Sequence, residues 1–187
     1  ILVPTQIEAV FKNKKNYLKK LKSLKTIVST SAKLSQSFKE KINQFYKCNF
    51  HECYGASEIA IGTNLNINKQ IKKVKSVGRP CPNVSIKILD KRNVSAKNKV
   101  IGEIAVKTPQ IFSGYLNKKK ETKSSFNDNY FKTGDLGYLD KDNYLYLVGR
   151  KKNMIIVSGI NVYAEDIEKI IKKFPSVKDC CVIGVNN

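Results

Sequence analysis

Three short segments carry the residue types that could do chemistry. Tyr54-Gly55-Ala56-Ser57-Glu58 places an aromatic ring, a hydroxyl and a carboxylate within five residues. Thr133-Gly134-Asp135-Leu136-Gly137 sets one acid between glycines, inside two apolar, aromatic-rich, strand-like runs. Gly149-Arg150 ends another such run and opens "GRKKNMIIVSGINVYAEDIE". An ionised Asp has two oxygens and about four lone-pair sites, so it accepts from neighbouring hydroxyls. Arginine's planar fork suits carboxylate or phosphate oxygens. Each segment alone also reads as ordinary structure. Tyr54-Gly55 fits a strand-ending turn, Asp135 an Asx turn, and Gly149-Arg150 a strand cap. "CNFHEC" offers Cys48, His51 and Cys53 as metal ligands, but without a fourth partner a buried thiol is the better reading.

The elements that must position these groups follow from periodicity. "PTQIEAVFKNKKNYLKKLKSL" reads as a helix after Pro4, capped by Thr5, with Ile7, Val10 and Phe11 on one side. "KTIVS" reads as a short buried strand. "LSQSFKEKINQFYKC" reads as an amphipathic helix with Phe38, Ile42, Phe45 and Tyr46 facing the core. From Val77 the pattern changes to strands, "VSIKILD", "GEIAVKT", "YFKTGDLGYLD" and "NYLYLVGR", separated by Gly, Pro, Asn and Asp. Beyond Arg150 come a charged joint, the strand "MIIVSG", a helix "AEDIEKIIKKF" and a strand "CCVIGV". The fold class expected is mixed α/β. Residues 1–150 form one portion (1–76 α/β, 77–150 β-rich) and 151–187 open a small α+β domain, with a joint at 150–153.

Composition narrows the function classes. The formal charge is +20, from 35 Lys+Arg against 15 Asp+Glu, which raises nucleic acid or an anionic surface as partner. Only Arg79, Arg92 and Arg150 are arginines, however, and base readers favour Arg, so scattered lysines read as a solvated surface. Five cysteines without a CxxC pair fit unpaired thiols in a reducing compartment. No apolar run approaches the ~20 residues that span a bilayer, and the start carries no secretion leader. The chain starts at Ile1 and stops at Asn187 where a strand is barely finished, so it reads as a fragment cut at both ends.

Taken in order, the three segments resemble the adenylate-forming (AMP-binding) superfamily. Its members include acyl-CoA synthetases, peptide-synthetase adenylation domains and firefly-type luciferases. The resemblance covers nearly the whole chain, including "GEIAVKTPQIFSGYLN", and the third segment is most similar to fatty acyl-CoA ligases. It implies ATP-dependent activation of a carboxylic, fatty acid to an acyl-adenylate and transfer to the thiol of CoA, with ATP, Mg²⁺ and coenzyme A as participants. It matches Asp135 and Arg150 to the ribose, Tyr54 and Gly55 to the adenine side, Ser57 to the α-phosphate and Glu58 to Mg²⁺. Ser57 and Glu58 are the catalytic candidates. Lys152 matches the hinge and Gly159 the glycine beside the thiol tunnel.

The chain departs from the family pattern in places. Thr30, Ser31 and Lys33 replace two glycines and a proline in the loop that approaches adenine, Asn153 replaces an acid and Ala164 a proline. Tyr130 stands where Trp is frequent and Ser57 where Thr is usual. The phosphate loop and the catalytic lysine are expected outside Ile1–Asn187, so the isolated fragment is expected to be inactive. A cytoplasmic location, with peripheral membrane association through the fatty substrate and basic surface, completes the expectation. The alternatives are a peptide-synthetase-type adenylation domain, an aryl-CoA ligase, or a non-catalytic basic module binding nucleotide or nucleic acid.

Overall fold

The structure is a computed structural model that describes residues 1–12, 24–45, 48–157 and 160–185. A helix, α1 (Pro4–Lys12), leads into β1 (Thr26–Ser29), α2 (Gln36–Phe45) and β2 (Asn49–Ala56). β1 and β2 pair in parallel, Thr26 to Asn49 through Ser29 to Glu52, with α2 as the crossover that a parallel pair needs. β3 (Ala60–Asn66) and β4 (Arg79–Pro80) add antiparallel strands, giving the order β1-β2-β3-β4. A second, antiparallel sheet holds β5 (Ser85–Leu89), β6 (Gly102–Lys107), β7 (Phe126–Asn127), β8 (Tyr130–Leu139) and β9 (Leu145–Arg150). A one-and-a-half-turn helix, α3 (Lys119–Ser124), precedes β7. The 3₁₀ turn Lys151–Asn153 leads to the hairpin β10 (Met154–Val157) and β11 (Ile160–Tyr163), then α4 (Ala164–Ile171).

Two apolar clusters hold these layers. Ile7, Ile27, Leu34, Ile42, Phe50, Leu65 and Ile67 pack between the first sheet and its helices. Ile59, Val77, Ile88, Ile104, Val106, Phe131 and Leu145 pack beneath the second sheet. The sheets interlock: Tyr144, from the turn before β9, sits in the first cluster, and Tyr54, from β2, in the second. Leu145 and the Val77–Gly78 pair exchange backbone hydrogen bonds of 2.8 Å each. Lys73 reaches Asp140 at 2.6 Å and Asp142 at 2.7 Å, stapling the Ile71–Lys73 turn to the β8–β9 turn.

Several expectations are refined. α1 begins at Pro4, a favoured first helical residue, so Thr5 lies in the first turn instead of capping it. The free amide of Val3 is met by Gln6 Oε1 at 3.0 Å. The rest of the long helix expected there, and the side chains of Phe11, Phe45 and Tyr46, lie outside what is described. "CCVIGV" is not a strand: residues 180–185 have no ladder partner among the described residues, and Val182 donates its amide to Glu168 Oε1 at 3.0 Å. An apolar run becomes a strand only where an edge exists to pair with. The strand read in "MIIVSG" is β10, whereas β3 and β11 were not picked out by periodicity, because Gly62 and Asn161 interrupt their alternation. All five cysteines are unpaired thiols.

Candidate nucleotide site

β8 and β9 form a hairpin whose register sets Asp135 opposite Arg150. Arg150 Nε lies 3.0 Å from Asp135 Oδ1, and Arg150 Nη1 donates to the Thr133 carbonyl at 3.0 Å. From the other sheet, the Tyr54 hydroxyl donates to Asp135 Oδ2 at 2.8 Å. Thr133 Oγ1 accepts from the Asp135 amide at 3.1 Å. Gly134 has φ +72°, a conformation costly for other residues, and it turns the backbone so that Asp135 points into the space between the sheets. Each Asp135 oxygen thus holds one bond and keeps a second lone-pair site for hydroxyl donors.

These groups line a cavity of about 310 Å³ together with the Ser31–Lys33 loop, Gly149, and Glu165 and Lys169 of α4. Burial pushes the Asp135 carboxyl up from the ordinary carboxylate value, while Tyr54 and Arg150 oppose that shift. Burial, with Asp135 nearby, pushes the Tyr54 phenol far above its usual value, so it is an obligate donor. Gly55 also lines the cavity. A Cβ on Gly55 would fall 1.9 Å from the Ala60 carbonyl oxygen, so the β2–β3 turn closes only over glycine.

Ser57 and Glu58 occupy that turn, just beyond β2, and do not line the cavity. Glu58 is held from two sides: its Oε1 accepts from the Tyr115 hydroxyl at 2.9 Å, and its carbonyl accepts from the Phe112 amide at 2.9 Å. Glu58 Oε2 keeps its lone pairs, and no cluster of three or more His, Cys, Asp or Glu groups occurs among the described residues. One carboxylate is the donor set this chain offers a divalent cation, and it fits a Mg²⁺ whose other ligands are phosphate oxygens and water. The "CNFHEC" thiols and imidazole serve other contacts: His51 Nδ1 pairs with Asn64 Oδ1 at 2.9 Å, and Cys48 packs in the core.

Lys152 lies in the exposed 3₁₀ turn after Arg150, and Gly159 is outside the described residues. The sequence reading missed Glu165. Its Oε1 accepts from the Arg150 amide at 3.2 Å, and its Oε2 is buried against Gly149, where a Cβ would sit 2.3 Å away. An acid in the first turn of a helix signals the macrodipole and nothing about this contact. The reading also missed Tyr115, within "GEIAVKTPQIFSGYLN", as the partner of Glu58.

The family described as AMP-binding enzyme matches residues 1–116. A long-chain-fatty-acid–CoA ligase of Bacillus subtilis is 34% identical over 166 residues, covering 88% of this chain and 30% of that protein. A 2-succinylbenzoate–CoA ligase of Enterococcus faecalis is 40% identical over 112 residues, covering 60% and 23%. Among solved structures, the o-succinylbenzoate CoA synthetase of Bacillus subtilis with its acyl-adenylate intermediate superposes with a TM-score of 0.90 at 26% identity, over 100% of this chain and 38% of that one. The chain therefore spans roughly a quarter to two fifths of the length of these relatives, and its mixed α/β architecture is part of the adenylate-forming enzyme fold. By fold and by sequence, the chain belongs to the AMP-binding enzyme family.

Proposed function

We propose that this chain is the nucleotide-holding part of an AMP-forming acyl-CoA synthetase, and that its carboxylic acid substrate is a fatty acid. The observation that carries the reading is the convergence of Tyr54, Asp135 and Arg150 from two sheets onto one cavity. Asp135 accepts from the ribose diol, with Arg150 steadying the same sugar or its phosphate. Tyr54 and Gly55 wall the adenine side. Ser57, in the turn just outside that cavity, is assigned to the α-phosphate by its match to the family motif. Glu58, fixed by Tyr115, would hold Mg²⁺, which when bound supplies positive charge to the phosphates.

The reaction joins two anions. The substrate carboxylate attacks the α-phosphorus and pyrophosphate leaves; the thiol then attacks the acyl carbonyl and AMP leaves. Screening of phosphate charge and alignment of the reactants supply most of the rate. In this reading residues 1–150 end the large domain and 151–187 open the small one. Lys152 is assigned to the joint about which the small domain swings, and Gly159 to the thiol tunnel.

An aromatic acid is the second reading for the substrate, favoured by the 40% identity to a 2-succinylbenzoate–CoA ligase. The test has two arms. Calorimetry should show AMP binding to the chain that Asp135→Ala weakens by at least about tenfold, as expected for losing hydrogen bonds to a charged group. Salt-sensitive DNA binding without AMP binding would instead support a basic module. In the full-length enzyme, acyl-CoA formation from fatty against aromatic acids decides the substrate.

A further inference from the structure

A buried ion pair lies beneath the cavity and outside the chemistry proposed above. Lys39 of α2 and Glu52 of β2 have side chains only 1% exposed each, and they pair through Lys39 Nζ and Glu52 Oε2. Lys39 Nζ also donates to the Val74 carbonyl at 2.9 Å and to the Ser76 carbonyl at 2.9 Å. An ammonium has three donors, and all three are in use. Glu52 Oε1 accepts from the Leu34 amide at 2.9 Å.

Replacing a buried ion pair by apolar side chains of similar volume is often neutral or stabilising, so stability alone is weak grounds for this one. What apolar side chains cannot supply is direction. Three of the pair's bonds end on backbone groups, in two segments that lead straight into the cavity wall. Leu34 closes the Ser31–Lys33 loop, and Ser76 precedes Val77; both loop and Val77 line the cavity. Glu52 itself borders the cavity and lies two residues before Tyr54 on β2. Ser31 is held at φ +75°, so the loop keeps a shape that its own sequence does not favour.

We propose that Lys39 and Glu52 are positioning residues that fix the Ser31–Leu34 loop and Val77 as facing walls of the nucleotide cavity. The inference rests on the nucleotide reading of that cavity and adds its specificity for shape. The pair acts through Leu34 and through the Val74–Ser76 segment that leads into Val77.

The test uses the 187-residue chain, AMP as probe, and the apolar double variant Lys39→Met/Glu52→Leu. The expected result is a melting temperature within about 4 °C of the unmodified chain. AMP should bind about tenfold more weakly, a size typical of coupling between neighbouring sites. Amide exchange at Leu34 should quicken while exchange elsewhere in α2 and β2 holds. Glu52→Gln, which keeps an acceptor for the Leu34 amide, should recover most of the affinity. A double variant that binds AMP as the unmodified chain does, or that loses affinity only in step with melting temperature, overturns the proposal.

Should the double variant fail to fold, the unmodified chain carries the test. Saturating AMP must slow exchange at the Leu34 amide, because coupling is reciprocal; AMP that binds and leaves it unchanged overturns the proposal. Failure of the unmodified chain to bind AMP would sink the nucleotide reading itself. Loss of binding in Asp135→Ala beside full affinity in the double variant would sink only the positioning role.

Discussion

The Tyr54 hydroxyl donates to Asp135 Oδ2 across 2.8 Å, joining residues 81 apart in sequence and two different sheets. The bond is made between a buried phenol and a carboxylate that is itself mostly buried, with 18% of its side chain exposed. Such a contact holds the carboxylate in one orientation, which is what recognition of a rigid diol requires.

Asp135→Asn separates charge from shape. The amide keeps the volume but loses acceptor strength toward hydroxyls and toward Arg150. AMP affinity should fall roughly tenfold to a hundredfold. The melting temperature should not fall, since burial disfavours the carboxylate's charge. Calorimetry and thermal denaturation of the same samples check both halves.

The pH dependence of AMP binding follows from the same shift. Ionised Asp135 is the acceptor, and its pKa is raised. Binding should therefore weaken as pH falls, starting above the ordinary carboxylate range, and Asp135→Asn should flatten that limb of the profile. For folding the sign is opposite. A raised carboxyl contributes stability that is full below the unfolded value near 3.8 and is lost as pH rises through the folded value.

Acid should attack the β8–β9 turn instead. Asp140 accepts from the amides of Asp142 and Tyr144 at 2.9 and 3.0 Å, from Lys73, and from the Tyr146 hydroxyl at 3.2 Å. Although burial opposes it, these partners hold its pKa below 3.8. Its stabilisation is present above that value and is lost as pH falls through the lowered one. Asp140→Ala should cost about 2–3 kcal/mol, the sum of a few hydrogen bonds, one of them charged, and acid unfolding of the variant should start from that lower baseline. Denaturant melts at pH 7 and pH 3 read both.

Gly55→Ala tests the closing of the β2–β3 turn. A methyl group there meets the Ala60 carbonyl oxygen at 1.9 Å, and backbone on both sides leaves little room to yield. The loss should be about 2–3 kcal/mol, at the upper end of overpacking costs, and AMP affinity should drop with it. Urea unfolding of the variant against the unmodified chain measures the first effect.

Lys152→Pro probes the joint after β9 in the full-length enzyme. The turn Lys151–Asn153 packs lightly, and Lys151 already ties it to Glu103 at 2.7 Å. Stiffening the backbone there should spare adenylate formation and slow thioester formation. Pyrophosphate release and acyl-CoA formation, timed separately, distinguish the two; equal loss of both would count against rotation about this joint.

Much of the site could be read from the chain because it depends on local patterns. Asp135 and Arg150 lie in two segments that alternation marks as strands; that these pair as one hairpin and bring the two residues level is seen only in the structure. The β-rich character past Val77 and the crossover helix between β1 and β2 were equally visible. What escaped needs three dimensions. Lys39 resembles a solvated cation, yet it sits three residues before Ile42 and so shares the buried face of α2. Glu165 meets Arg150 only because the β10–β11 hairpin folds α4 back onto the end of β9. The run "CCVIGV" is apolar enough for a strand, and only the absence of a neighbouring edge among the described residues keeps it from being one.

The clasp of Glu165 on the Arg150 amide ties two elements together. The same residue presents its guanidinium to the cavity and its backbone to the first turn of α4. Arg150 is thus shared between the cavity and α4: its guanidinium bonds Asp135 and Thr133, and its amide bonds Glu165.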